Sequence, residues 1–349
     1  MPRLRVTYLL ERADQLWGGV KVVLDDANWL VDRGHDVTVV ARSPGPDWMQ
    51  LRCRFVQVPT FADARLPPSD VCVGTLWSTV PWAALSGAPT VHFCQGYEGD
   101  LVDYAAMRPQ IEAVYALPGI HHVTVSQHLA LGLQARFGID ATVVVQAIDH
   151  DVHFPGPVRP PAARIRVGMV GPYQLAGKGI ADGFAACALA ARAGLELEVV
   201  RISNTEPDPR ERAQPFPLEF HSRVAPRAMG DVYRSLDVFL GTGRDRGEGF
   251  YLPAIEAMAC GVPCVLTDLP CTREHGETRY ALFVPPGDPV AMAKGLAAAA
   301  RLEGQRASLR AAGLAAASRY TRRAHGVQLE RALAAAAAPA PVPAGAEVA

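Results

Sequence analysis

The chain has 349 residues but few lysines, only Lys21, Lys178 and Lys294, and its formal net charge is -1. So small a net charge gives no electrostatic basis for nucleic acid as the main partner. Long apolar runs are also scarce at the N-terminus, where "LRVTYLL" meets Glu11 and Arg12 at once and is too short for a signal peptide or a spanning helix. We therefore expect a cytoplasmic protein without a transmembrane segment, and leave open a peripheral position at the inner membrane face.

Paired metal-binding motifs are missing as well. The seven cysteines include no Cys-x-x-Cys pair, and no histidine spacing completes a zinc site. Buried free thiols in a reducing compartment are the expected state of these cysteines. We predict neither a metal site nor a cofactor.

What the chain does have is an alternation of short apolar runs and helical patterns. The run at 4–10 is followed by a loop with Gly18 and Gly19, a helical pattern over 20–32 and a second run at 36–41, which predicts a βαβ unit. Such short apolar strands are typical of a parallel sheet that is buried on both faces. Further predicted strands lie at 71–75, 90–94, 122–126 and 142–145, and, in a second cycle, at 164–171, 195–202, 236–241, 263–267 and 281–284.

A proline-rich segment, "FPGPVRPPAAR", separates the two cycles and predicts a semi-rigid linker. We therefore predict an α/β protein of two Rossmann-like, doubly wound domains that face a cleft. The predicted boundaries are 1–155 for the first domain, 156–164 for the linker, 165–333 for the second domain, with packing of the last helix against the first domain left open, and 334–349 for a disordered Ala/Pro tail.

The segment "RGEGFYLPAIEAMACGVPC", residues 246–264, carries the most specific signal. Pro253 is tolerated in a first helical turn and Gly261 can end a helix, which predicts a helix from Pro253 to Ala259. Glu256 would lie in its first turn, and Glu248 in the glycine loop before it.

The start of that helix should be a binding site for an anion or for hydroxyl groups. The free N–H groups of residues 249–252 would point into the cleft with the positive end of the helix dipole. Gly249 would let a ligand approach the backbone, and the carboxylates of Glu248 and Glu256 could accept hydrogen bonds from sugar or ribose hydroxyls. An acidic helix N-terminus alone also favours glutamate, but it requires neither the glycines nor two carboxylates so placed.

Residues 248–268, "EGFYLPAIEAMACGVPCVLTD", resemble the Glu, seven residues, Glu signature of the family 4 retaining glycosyltransferases, nucleotide-sugar enzymes with the two-domain GT-B fold. The similarity extends to "GGVKVVLDDANWLVDRGHDVTVV", "VTVSQHLALGLQARFGI", "VVVQAIDHDVHFP" and "VGPYQLAGKG". The resemblance implies that Glu248 contacts the donor sugar, that Glu256 binds the ribose and that Lys178 pairs with the diphosphate. It also implies that the first domain binds the acceptor and the second domain the donor.

Two positions depart from the family pattern. Gln146-Ala147 stands where Asn-Gly is usual, and Pro172 stands where members usually have a phosphate-binding Arg. We expect Arg244 or Arg246 to replace that Arg. The residues expected to bind the donor are thus Gly18, Gly19, Gly249, Phe250, Tyr251, Leu252, Glu256, Arg244 and Arg246.

Lys178 is predicted independently from its surroundings. It lies between glycines just before a helix, where a flexible ammonium can meet phosphate oxygens and neutralise a leaving group. A solvated surface lysine is the alternative interpretation, but lysine is rare in this chain. We therefore predict a catalytic role for Lys178 together with Glu248.

In the first domain, "PTVHFCQGYEGD" places His92 at the end of a predicted strand, before polar and aromatic residues expected at the edge of the cleft. The family often carries a His here that faces the donor sugar, although a lone His at a strand end is more often structural. We predict a catalytic role for His92. Gln95, Tyr97 and Glu98 are then candidates for acceptor binding or for a general base.

The predicted function is transfer of a sugar from a nucleotide-sugar donor to an acceptor hydroxyl with retention of configuration, by substitution on the same face. The donor is a co-substrate, and the protein supplies positioning and charge stabilisation. A nucleotide-sugar epimerase of the GT-B fold is one alternative, and a non-catalytic sugar-binding module is another. The donor base and sugar, the acceptor (glycan, lipid-linked or small metabolite) and the oligomeric state stay open.

Overall fold

The computed structural model describes residues 2–158, 163–301 and 303–338. Within these ranges the first domain is built on a seven-stranded parallel sheet with the order β3-β2-β1-β4-β5-β6-β7. Its strands are β1 (Arg5–Leu10), β2 (Asp36–Ala41), β3 (Arg54–Gln57), β4 (Val71–Gly74), β5 (Thr90–Cys94), β6 (Ile120–Thr124) and β7 (Thr142–Val143).

The second domain repeats this arrangement with a six-stranded parallel sheet, again counted over the described ranges, with the order β10-β9-β8-β11-β12-β13. Its strands are β8 (Ile165–Val170), β9 (Leu197–Ser203), β10 (Leu218–Ser222), β11 (Val238–Gly241), β12 (Cys264–Thr267) and β13 (Ala281–Val284). Both sheets reverse their winding beside the first strand of the domain. This is the topological switch point at which open α/β sheets bind ligands.

Helices connect the strands. The first domain contains α1 (Gly18–Asp32), α2 (Val80–Ala84), α3 (Arg108–Tyr115) and α4 (Gln127–Phe137). The second domain contains α5 (Ile180–Arg192), α6 (Pro209–Arg212), α7 (Met229–Arg234), α8 (Leu252–Ala259), α9 (Pro270–Arg273) and α10 (Pro289–Arg301), and these are followed by α11 (Glu303–Ala317) and α12 (Arg322–Ala337). None of the helices in the described ranges combines the length and the apolar character that crossing a bilayer requires.

The predicted fold class is confirmed: two doubly wound α/β domains face one another. Strands β3 and β10 are missing from the prediction. Each is an edge strand whose residues are only half buried or exposed, so neither produces the continuous apolar run that marks the inner strands.

The last helix, α12, packs against the first domain. Its His325 binds the Asp26 carboxylate through Nε2 at 2.8 Å and the Val145 carbonyl through Nδ1 at 2.8 Å, and Glu330 accepts a hydrogen bond from Arg33 at 3.0 Å. Because α12 extends to Ala337 with buried side chains, the expected tail is helical over 334–337. Residues 339–349 of that tail and residues 159–162 of the linker lie outside the described residues.

One cluster of buried apolar side chains runs from the first sheet through α8 to α12, and thus crosses from one domain to the other. A second cluster lies on the far face of the second sheet, under α5 and α10. The continuous cluster holds the start of α8 against the first domain.

Candidate active site

A cavity of about 660 Å³ lies between the domains. The first domain contributes the start of α1, with Gly18 and Gly19, while the second contributes the ends of β8 and β9 and the start of α8. The cavity therefore lies at the carboxyl ends of parallel strands, where the topology predicts a ligand site. Among the predicted site residues, Gly18, Gly19, Gln95, Lys178, Glu248, Phe250, Tyr251, Leu252 and Glu256 line it.

Lys178 and Glu248 meet in this cavity, with Lys178 Nζ 2.6 Å from Glu248 Oε2. Lys178 ends a short 3-10 turn, and Gly179, at φ 62, redirects the chain into α5. Burial alone would lower the pKa of the Lys178 ammonium, but the Glu248 carboxylate and, more weakly, Asp245 raise that pKa above its ordinary value. The lysine is therefore a cation at neutral pH, and Glu248 is its counter-ion.

Glu256 lies one turn inside α8, which begins at Leu252, one residue before the predicted start. Its Oε2 accepts a hydrogen bond from Tyr233 Oη at 2.9 Å, and its Oε1 lies 3.9 Å from His153 Nε2. The Tyr233 hydroxyl fixes one carboxylate oxygen, and the other can accept a hydrogen bond from a ligand.

Gly249 has a different role from the one predicted. Residues Gly96 and Glu248 form an antiparallel bridge between the domains, and the Tyr97 N–H donates to the Gly247 carbonyl at 2.8 Å. A Cβ on Gly249 would lie 2.2 Å from the carbonyl oxygen of Gln95. The glycine is thus required by the backbone of the other domain, and it is not among the described residues that line the cavity.

The position of His92 contradicts its predicted role. Its side chain is fully buried inside the first domain, edge-on to Tyr115 at 5.0 Å and to His122 at 5.3 Å, and neither ring nitrogen has a hydrogen-bond partner among the described residues. Burial lowers the pKa of His92 to about 3, so the ring is neutral. Gln95, just beyond the end of β5, occupies the cleft instead and donates to the Gly19 carbonyl at 3.1 Å.

Tyr97 and Glu98 also turn away from the cleft. Tyr97 Oη donates to Glu112 at 3.3 Å, while the buried Glu98 accepts hydrogen bonds from Tyr115 Oη at 3.0 Å and from the Trp77 N–H at 3.4 Å. Burial raises the pKa of Glu98 to about 7. Neither residue is among the described residues that line the cavity, so the predicted contacts with an acceptor are not supported.

Arg244 and Arg246, which we expected to replace the phosphate-binding Arg, are likewise not among the described residues that line the cavity. Arg244 makes a two-point ion pair with Asp182, with both N–O distances at 2.5 Å, and Arg246 is exposed. Both arginines follow β11 and so lie at the edge of the sheet that borders the cavity. The ion pair with Asp182 on α5, however, orients the Arg244 guanidinium.

Among the described residues, the arginines that line the cavity are Arg52, Arg223 and Arg322, and no sequence pattern predicted them. Arg223 follows β10, the unpredicted edge strand, at φ 50, and pairs with Asp47 of the first domain at 3.3 Å. These arginines come from three separate parts of the chain, so a motif could not have shown them together.

Comparisons with known proteins agree with this geometry. Residues 164–301 match the model of the family described as glycosyl transferases group 1, whereas no curated protein sequence matches the chain. The solved structure of sucrose-phosphate synthase from Thermosynechococcus elongatus is similar, with 16% identity, a TM-score of 0.77, and coverage of 96% of this chain and 100% of that one.

Two further structures have the same fold. HepE from Anabaena, solved in complex with UDP-glucose, is 14% identical, with a TM-score of 0.76 over 95% of this chain and 100% of its own. WaaG, a glycosyltransferase involved in lipopolysaccharide biosynthesis, is 14% identical, with a TM-score of 0.69 over 94% of this chain and 98% of its own. These likenesses show the GT-B fold, and the family match falls on the domain that holds Lys178, Glu248 and Glu256. Residues 164–301 thus match the glycosyl transferases group 1 family, and the chain as a whole has the GT-B fold.

Proposed function

We propose that this glycosyltransferase moves a sugar from a uridine diphosphate sugar to an acceptor hydroxyl with retention of the anomeric configuration. The observation that carries the proposal is the convergence of Lys178, Glu248 and Glu256 on one cavity at the start of α8. The choice of uridine is supported by HepE, which has the same fold and was solved with UDP-glucose.

In the proposed complex, the diphosphate lies at the start of α8 and displaces Glu248 from Lys178. An ammonium and a helix N-terminus stabilise the negative charge that grows on the leaving phosphate. Glu248 is then free to accept hydrogen bonds from the hydroxyls of the donor sugar. Glu256 Oε1 accepts from the ribose, since Tyr233 already donates to its other oxygen.

The ion pairs of the aspartates that line the cavity favour substitution on the same face over a covalent intermediate. Retaining hydrolases use two carboxyl groups about 5 Å apart, one of them a free nucleophile. The aspartates among the described lining residues, Asp25, Asp26, Asp32 and Asp149, each pair instead with a basic side chain. We therefore assign removal of the acceptor proton to an oxygen of the leaving phosphate.

The acceptor enters from the first domain, beside Gln95 and the Gly18-Gly19 turn. The Gln95 amide can orient a hydroxyl, since its Nε2 already donates to the Gly19 carbonyl and its Oε1 can accept.

We place the enzyme in the cytoplasm because the cysteines, which all lie within the described ranges, are unpaired, as expected in a reducing compartment.

The test is incubation of the purified chain with UDP-, GDP- and TDP-linked sugars, with and without a panel of alcohols, while release of the nucleoside diphosphate is followed. We expect release with a UDP-sugar, and a product whose anomeric configuration by NMR equals that of the donor. An inverted product would contradict the mechanism, and an epimerised donor would support the epimerase alternative. Absence of binding and turnover with every donor would contradict the proposed function.

A further inference from the structure

Outside the cavity, a second set of contacts joins the two domains at the loop that carries Glu248. Glu274, at the end of α9, accepts hydrogen bonds from the backbone N–H groups of Gln127 and, at 3.2 Å, His128, the first two residues of α4 in the other domain. Its carboxylate also binds His128 Nδ1. His128 Nε2 lies 3.1 Å from the carbonyl oxygen of Glu248.

The N-terminus of α4 is therefore capped by the other domain. Ser126, which precedes α4, is of the residue type that usually accepts from the second or third amide of a helix. Here its buried Oγ has no hydrogen-bond partner among the described residues, and Glu274 takes the His128 amide instead. A carboxylate at this position is also favoured by the helix dipole.

The ring of His128 faces two acceptors. A carbonyl oxygen can only accept, and so can an ionised carboxylate, whereas a neutral imidazole carries one N–H. Burial would raise the pKa of Glu274, but the hydrogen bonds from His128 and from the Gln127 amide lower it, so the carboxylate is ionised at neutral pH. Only the doubly protonated ring can donate to Glu274 and to the Glu248 carbonyl at once.

Other charged and titratable groups surround this contact. His275 follows Glu274 and binds Tyr320 Oη at 2.9 Å, and Arg319 donates to the His275 carbonyl. On the side of the cavity, the Glu248 carboxylate is paired with Lys178. Glu274 is the acid in direct contact with the His128 ring.

We propose that His128 and Glu274 form a latch between the domains, and that His128 is a positioning residue that holds the backbone of Glu248 for catalysis. The latch, defined by these two side chains, is complete when the His128 ring contacts both the Glu274 carboxylate and the Glu248 carbonyl. When the domains separate, Ser126 can accept the released His128 amide, so opening does not leave α4 uncapped. The catalytic consequence rests on the proposed function; the structural consequence does not.

The kinetic test compares His128→Gln and Glu274→Gln with the exposed controls His121→Gln and Glu277→Gln. We expect kcat/KM to fall about 10- to 100-fold in the latch variants, because small displacements of a positioned group have effects of this size, and to stay within about twofold in the controls. The loss should fall on kcat rather than on the KM for the donor, because a displaced Glu248 backbone misplaces the reacting groups. A loss confined to KM, or parental rates in both latch variants, would overturn the proposal.

The structural test uses small-angle X-ray scattering on the ligand-free proteins. Both latch variants should have a larger radius of gyration than the parent, and the double variant should be no larger than either, because the two residues form one contact. Equal radii for the parent and the variants would refute the latch. If the parent consumes no nucleotide sugar, the proposed function fails while this measurement still decides on the latch.

Discussion

The two sides of the cleft place their polar side chains by different means. In the second domain, Lys178 and Glu248 lie in turns before helices and Glu256 lies one turn inside α8, and all three line the cavity. In the first domain, His92 and Glu98 lie on or just after β5, and both turn into the core. The contrast teaches that the local geometry at a helix start directs the side chains there. At the end of a strand, by contrast, the direction of a side chain depends on the residues that pack against the strand.

Removal of the charges in the second domain should have the largest effect. Lys178→Ala and Glu248→Ala should each lower kcat about 100- to 1,000-fold, because charge on the leaving diphosphate or the contact with the donor sugar is lost. Steady-state release of the nucleoside diphosphate measures this, with Lys294→Ala as the matched control. A near-parental rate in either variant would remove that residue from the proposed mechanism.

Disruption of the backbone contact between Gly249 and Gln95 should have the second largest effect on activity. Gly249→Ala places a Cβ against the Gln95 carbonyl, so the Glu248 loop must move, and we expect a loss of about 10- to 100-fold in kcat/KM. Gly132→Ala, in α4 where a Cβ meets open space, is the control and should leave activity unchanged. Equal activities of the two variants would mean that docking of the loop is not required.

Substitutions of Gln95 and His92 in the first domain should have smaller effects on the kinetics, and these effects should differ. Gln95→Ala should raise the KM for the acceptor several-fold through loss of an orienting amide, on the order of 1 kcal/mol for one hydrogen bond. His92→Phe should leave kcat/KM unchanged, because His92 does not reach the cavity lining as described. A large kinetic loss in His92→Phe, with the melting temperature preserved, would restore the role predicted for it.

Substitution of Glu98 should have the smallest effect on turnover. It should instead change how the stability of the fold depends on pH. Burial raises its pKa from 4.5 to about 7, so the folded state holds a proton that the unfolded chain releases between these values. Its contribution to stability is therefore present below the unfolded pKa and is lost as the pH rises from about 4.5 to about 7, by on the order of 1 kcal/mol per pKa unit.

Urea unfolding across this pH range would measure the loss at Glu98. Glu98→Gln should make the decline less steep, since its amide does not titrate, while the exposed control Glu196→Gln should leave it as in the parent. An unchanged slope in Glu98→Gln would show that other groups cause it.

Most inner strands could be predicted because each is buried on both faces and forms an apolar run. Strands β3 and β10 could not, because edge strands with half-exposed residues lack that pattern. Arg223 was missed for the same reason, since it follows β10. The burial of His92 was also beyond prediction, because His92 and Gln95 belong to one short segment and the rings of Tyr115 and His122 decide which side of it is core.

By itself, the sequence determined the two-domain α/β fold, the helix start at Leu252 to within one residue, and the set of Lys178, Glu248 and Glu256, because strand periodicity and helix ends are local properties of the chain. Only the tertiary structure decided which first-domain side chains reach the cleft and which arginines border it. It also decided that α4 is capped by Glu274 from the other domain, since Gln127 and Glu274 lie 147 residues apart and meet only when the domains close.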